Sequence, residues 1–190
     1  MPRMLVFDTE TGGTDPEIHS ILSLGAVVWE DGRFGATFEV RIAEPQFVLT
    51  ARAMEINKID IVQHCKRAVA PAEAMQRFCV FLEAAFPEQL ASKDKIALVG
   101  HNVNFDVGFL KRLCRLAGIP FEKWFSHRQM DTAGILRFLT LAGKLHLTGA
   151  GSTEAFEYFG IEVALEERHT ALGDAKATAL LLNKLLEVAR

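Results

Sequence analysis

An apolar run from Ile21 to Trp29 (ILSLGAVVW) ends in Glu-Asp-Gly-Arg at 30–33, and a second strand-like run follows over 34–42. Asp-Gly supplies the positive backbone angles of a tight hairpin turn, so the two runs are expected to lie antiparallel. Residues 3–8 (RMLVFD) are apolar, short and end in an acid, which reads as another buried strand. The chain therefore opens with a three-stranded antiparallel meander, and everything after it has to pack on that sheet.

The hydrophobic period then changes. Residues 51–58 and 72–86 carry helical spacing, with Pro71 suited to a helix start. KIALVGH, 95–101, is a compact apolar strand. The segment after it has apolar residues at 105, 109, 110, 113 and 116, the stripe of an amphipathic helix that Gly118 ends. A short strand over 128–132, a helix over 132–142, a helix over 152–159 ended by Gly160 and a last helix over 171–190 complete the reading. A meander followed by alternating helices and strands predicts an α/β fold with one mixed sheet flanked by helices.

With 190 residues the chain is long enough for a real core and is read as one domain, 1–190. The three cysteines, Cys65, Cys79 and Cys114, are odd in number and lack C-x-x-C spacing. That argues against a disulfide framework or thiolate zinc site and suits a reducing cytoplasm. No apolar run approaches the ~20 residues of a membrane span, and Asp8 and Glu10 arrive too early for a secretory signal. Net charge is −3, so no whole-molecule field attracts nucleic acid. A phosphate partner has to be met by a local basic surface or by metal ions.

Asp8 and Glu10 stand at i and i+2, so in a strand both project from one face. Adjacent carboxylates repel unless a cation or proton lies between them, and paired carboxylate oxygens suit Mg²⁺ or Mn²⁺. A solvated strand end is the bland alternative. Asp106 sits where a buried strand becomes a helix, a place where α/β sheets form ligand crevices and where Asp also caps helices. His169 and Asp174 are five apart. If a helix starts near Thr170 or Ala171, His169 lies on the segment before it and Asp174 in its first turn, and both can face one pocket.

Asp8-x-Glu10, His101-Asn102-x-x-Phe105-Asp106 and His169-x-x-x-x-Asp174 together resemble the DEDDh family of 3′→5′ exonucleases, over nearly the whole chain. The proofreading subunit of bacterial replicative polymerases, ribonuclease T and oligoribonuclease belong to that group. The resemblance implies a ribonuclease H-like fold with a mixed five-stranded sheet, the meander plus parallel strands. It implies two divalent metal ions, Mg²⁺ or Mn²⁺, on Asp8, Glu10, Asp106 and Asp174, with His169 as general base. It further implies release of 5′-mononucleotides from single-stranded 3′ ends of DNA or RNA, and terminal-nucleotide contacts from Thr9, Thr11 and Gly12. Asn102 and Phe105 would meet the next nucleotide, with Phe105 as a core anchor the alternative. Lys111, Arg112 and Arg115 could meet backbone phosphates or form a solvated helix face.

Two positions depart from the family. Gly13 stands where many relatives carry an apolar wedge, and Ser23 where they often carry an acid. VFDTETGG is also similar to the first motif of haloacid dehalogenase phosphatases, but that reading leaves His169 and Asp174 unused. A non-catalytic nucleic-acid-binding module on the same fold is the other rival. With no tail after the last helix to tether a polymerase, the sequence favours a freestanding nuclease, with a homodimer as one possible state.

Overall fold

The computed structural model describes residues 3–162 and 170–190. Its centre is a five-stranded sheet of β1 (Met4–Thr11), β2 (Ile21–Glu30), β3 (Arg33–Arg41), β4 (Ile96–Gly100) and β5 (Phe125–Asp131), in the order β3-β2-β1-β4-β5. The first three strands are antiparallel, and β1, β4 and β5 run parallel. Asp31 and Gly32 both have positive φ, as the Asp-Gly turn requires. The mixed sheet expected from the sequence is present.

The helices are α1 (Ala51–Asn57), α2 (Ile61–Cys65), α3 (Pro71–Ala85), α4 (Pro87–Ala91), α5 (Val103–Ala117), α6 (Thr132–Leu141), α7 (Ser152–Tyr158) and α8 (Ala171–Ala189). Strand alternation sorts side chains to two faces. Leu5 and Phe7 of β1 join Leu24, Ala26 and Val28 of β2 in a core with Phe78 of α3 and Phe109 of α5. Met4, Val6 and Trp29 face the other way, against Ala179 and Leu182 of α8. The same alternation carries Asp8 and Glu10 to the α8 face and Thr9 to the α5 face.

β5 begins at Phe125 rather than 128. Its polar run SHRQ hides the strand from a hydrophobicity reading, because an edge strand buries little of either face. Arg112 also differs from both expectations. Its guanidinium makes two bonds, 2.9 and 2.7 Å, to the buried carboxylate of Glu44, and Nη1 donates to the carbonyls of Pro16 and Glu17. It straps the 14–19 loop to α5, with four of its five N–H donors committed inside the protein. Arg115 pairs with Glu17 and Lys111 lies over the Phe121 ring. Among the described residues no helix is long and apolar enough to cross a membrane.

Candidate active site

Asp8 pairs with Gly25 and Glu10 with Ser23 across the β1–β2 ladder. A methyl group on Gly25 would overlap the backbone of Ala171 and Leu172, so that glycine lets the first turn of α8 lie directly on the sheet. The turn is capped by Thr170, whose Oγ1 accepts from the Gly173 N–H at 3.1 Å. Asp174, on the same turn, is thereby delivered beside the strand acids. One carboxylate oxygen from each of Asp8, Glu10 and Asp174 lies within 4.8 Å of the other two.

Asp106 arrives from the other face. It stands in the first turn of α5, and its Oδ1 accepts from both Thr9 N–H (2.9 Å) and Thr9 Oγ1–H (2.7 Å). Two donors on one oxygen fix the carboxylate's rotation and leave Oδ2 for the site. Asp106 is 3% exposed, so this clamp is made in a low-dielectric setting where it is strong.

The acids are held where ionisation is costly. Burial, then repulsion by Asp106, Glu10 and Asp174, raises the Asp8 carboxyl well above the usual range. Burial followed by Asp174 and Asp106 pushes Glu10 up to about 8. Burial pushes Asp106 up to about 7 against the opposing pull of the Thr9 hydrogen bonds. A cation among them removes the repulsion, so the donor set of hard carboxylate oxygens fits a divalent ion such as Mg²⁺ or Mn²⁺.

Asp8, Asp106 and Asp174 open onto a cavity of about 290 Å³ whose other walls include His101, Asn102, Phe105, Ser152 and Phe156. Phe105 is 37% exposed and its ring rests on Phe109 at 5.1 Å, so it is a cavity wall rather than a buried anchor. Asn102 has φ 57° at the start of α5 and donates its backbone N–H to Asp131 Oδ1 at 2.9 Å.

The sequence reading missed the role of three residues here. His101 Nε2 bonds the Ala150 carbonyl at 2.8 Å and its Nδ1 bonds Thr132 Oγ1 at 3.0 Å, tying β4 to the loop before α7. Because a carbonyl only accepts, Nε2 carries the proton. Asp131 both caps α6 and holds Asn102. An Asp-Thr pair ahead of an apolar helix was the available signal for Asp131 and Thr132. Glu154 accepts from Thr148 N, Thr148 Oγ1 and Gly149 N, so the glycine-rich TGAGS loop spends those donors on α7.

Other expected site residues are used inside the protein. Thr11 Oγ1 donates to the Gly13 carbonyl, and its own carbonyl accepts from Asn57 Nδ2. Gly12 donates to Ser20 O and accepts from Thr50 N. The space a side chain would take at Gly12 holds Val48 and Leu49, and at Gly13 it holds the His19 ring. His169 lies outside the described residues.

A model of the RNase_T family, described as exonuclease, matches residues 5–182. A PolC-type DNA polymerase III of Lacticaseibacillus paracasei is 32% identical over 183 residues, 95% of this chain and 11% of that protein. A DNA polymerase III subunit epsilon-like protein of Rhodobacter capsulatus is 33% identical over 186 residues, 96% of this chain and 23% of that protein. The chain thus spans about a tenth to a quarter of these relatives' lengths. Crystalline E. coli exonuclease I in complex with a dT13 oligonucleotide shares the fold, with TM-score 0.80 and 16% identity over 97% of this chain and 41% of that one. With the family match covering most of the chain, and Asp8, Glu10, Asp106 and Asp174 in place, the chain belongs to the DEDDh family of 3′→5′ exonucleases.

Proposed function

We propose that this chain removes nucleotides one at a time from the 3′ end of single-stranded DNA or RNA, using two divalent ions and His169 as general base. The observation that carries the reading is the convergence of Asp8, Glu10 and Asp174 within 4.8 Å, with Asp106 clamped alongside by Thr9. Asp8, Glu10, Asp106 and Asp174 would hold the ions. When bound, such a pair stabilises charge on the attacking and leaving oxygens of a phosphodiester.

The chain's own residues do the rest. Thr9 fixes the Asp106 carboxylate, and the α8 cap at Thr170 fixes Asp174. Phe105 and Phe156 give the cavity apolar walls against which bases can stack, a mode that tolerates every sequence. His169 is a residue type that accepts a proton from attacking water near neutral pH. The exonuclease I complex with dT13 supports a single-stranded substrate, and the polymerase names of the relatives support work beside a replicative polymerase.

A 5′-labelled single-stranded oligonucleotide incubated with Mn²⁺ or Mg²⁺ is expected to give a ladder shortened from the 3′ end, abolished by EDTA. Intact oligonucleotide with either ion would overturn the reading. His169→Ala is expected to keep metal binding and lose most turnover; a wild-type rate would remove His169 from the mechanism.

A further inference from the structure

A second cavity, about 180 Å³, adjoins the acidic cluster on the Glu10 side. The strand register builds it. Glu10 of β1, Ser23 of β2 and Arg41 of β3 are successive partners across the sheet. All three side chains therefore project from the face that carries Asp8, and Glu10 and Arg41 stand two strand spacings apart, about 10 Å. Gln63 and His64 of α2 and Thr170 at the start of α8 close the cavity over that row.

Its polar groups are unequally committed. Asp60 Oδ1 accepts from Val62 N and Gln63 N, and His64 Nε2 is bonded to the Ile42 carbonyl. Glu39 lies at the exposed rim, where its carboxylate is free to turn to water. Arg41, by contrast, makes no side-chain hydrogen bond or ion pair with any described residue, although Glu10 and Glu39 line the same cavity. Ser23 is 6% exposed and its hydroxyl likewise has no partner among the described residues. A guanidinium fork and a hydroxyl with no partner among the described residues, beside the acidic cluster, form a donor set matched to phosphoryl oxygens.

We propose that the Ser23–Arg41 cavity is a phosphoryl-binding subsite that lets the enzyme accept a strand whose 3′ end carries a phosphate. The inference rests on the 3′→5′ nuclease reading. The cavity bearing Phe105 and Phe156 suits the bases of the strand. The Glu10 cavity is smaller, has no Phe, Tyr or Trp in its lining and ends at Arg41, so it suits a terminal substituent rather than a continuing chain. With such a substrate, water adds to the last phosphodiester phosphorus and the 3′ oxygen of the penultimate nucleotide leaves. The first product is then a nucleoside 3′,5′-bisphosphate, with Arg41 and Ser23 on its 3′-phosphate.

The test compares 5′-labelled oligonucleotides ending in 3′-hydroxyl or 3′-phosphate, with Mn²⁺ and with the first released product identified. The wild-type enzyme is expected to shorten both at rates within about threefold and to release the bisphosphate from the phosphorylated one. Arg41→Gln is expected to lower the 3′-phosphate to 3′-hydroxyl rate ratio at least tenfold, and Arg41→Lys to recover part of it. The proposal falls if wild-type enzyme stalls at 3′-phosphate ends, if it releases inorganic phosphate first, or if Arg41→Gln leaves the ratio unchanged. Competition by inorganic phosphate that Arg41→Gln relieves, together with stalling at 3′-phosphate ends, would assign the cavity to free phosphate and overturn the terminal role. No shortening of the 3′-hydroxyl substrate would instead strike the nuclease reading itself.

Discussion

On the face under α3 and α5 the sheet presents Leu5, Phe7, Leu24 and Val28 to Phe78 and Phe109, large side chains that are almost fully buried. At the C-terminal end of β1, on the opposite face, it presents Asp8, Glu10, Ser23 and Gly25 to the first turns of α8, where the buried residues Ala171, Gly173 and Ala175 are small. The first face buys stability through bulk. The second uses small residues to bring a helix close enough for carboxylates from separate elements to meet, and it holds those carboxylates at an energetic cost. The difference teaches that the site is bounded by what is absent from its surroundings, a Cβ at Gly25, as much as by the acids.

Removing an acid and removing an aromatic should therefore have opposite signatures. Asp8→Asn is expected to cut the metal-dependent rate about 10³-fold, several kcal/mol of transition-state stabilisation, while leaving the melting temperature in EDTA unchanged or raised. Phe78→Ala is expected to lower stability by about 3–5 kcal/mol and to keep its rate at temperatures where it is folded. Parallel rate and unfolding measurements check both. A smaller change probes the contact between helix and sheet: Gly25→Ala forces α8 off the strand and is expected to cost both about 100-fold in rate and about 2 kcal/mol in stability, the mark of overpacking. An Ala variant with wild-type rate would break the close-approach argument.

Thr9 lies one step further out, since it acts through Asp106. Thr9→Val is expected to weaken Mn²⁺ activation about 10–100-fold, the usual cost of losing an outer partner of a metal ligand, with Thr9→Ser recovering most of it. The smallest effect is on pH. Burial and mutual repulsion raise the carboxyls of Glu10 to about 8 and Asp106 to about 7 in the folded chain. The folded protein thus holds protons that the unfolded chain releases near the ordinary carboxylate range. The stabilisation is complete below that range and is lost as pH rises through about 7 to 8. In EDTA, wild-type protein is expected to lose a few degrees of melting temperature relative to Glu10→Gln between about pH 5 and pH 9, and Mn²⁺ to restore them. A gap that widens in favour of wild type with rising pH would contradict the repulsion account.

Local features were legible in the sequence, and long-range ones were not. Period-2 alternation placed Asp8 and Glu10 on one face, Asp31-Gly32 placed the hairpin, and the start of α8 put Asp174 in a first turn. Those signals depend on a few neighbouring residues. The Arg112–Glu44 ion pair joins positions 68 apart, and the His101 bond to Ala150 spans 49, so neither leaves a local pattern. The glycines at 12, 13 and 25 illustrate the same limit. Sequence says only that a Cβ is missing, whereas the fold says that Leu49, His19 and α8 occupy the space. That Arg41 stands in line with Ser23 and Glu10, with no side-chain partner among the described residues, is legible only once β3 is in register with β2.

The proposed chemistry stands on Asp8, Glu10 and Asp174 holding one ion of the divalent pair on the α8 face, with Asp106 clamped alongside. Diffraction from crystals soaked in Mn²⁺, collected at the manganese absorption edge, tests this directly. The account predicts an anomalous peak coordinated by oxygens of Asp8, Glu10 and Asp174. Manganese bound only at other carboxylates, or no peak among these residues at saturating Mn²⁺, would contradict it.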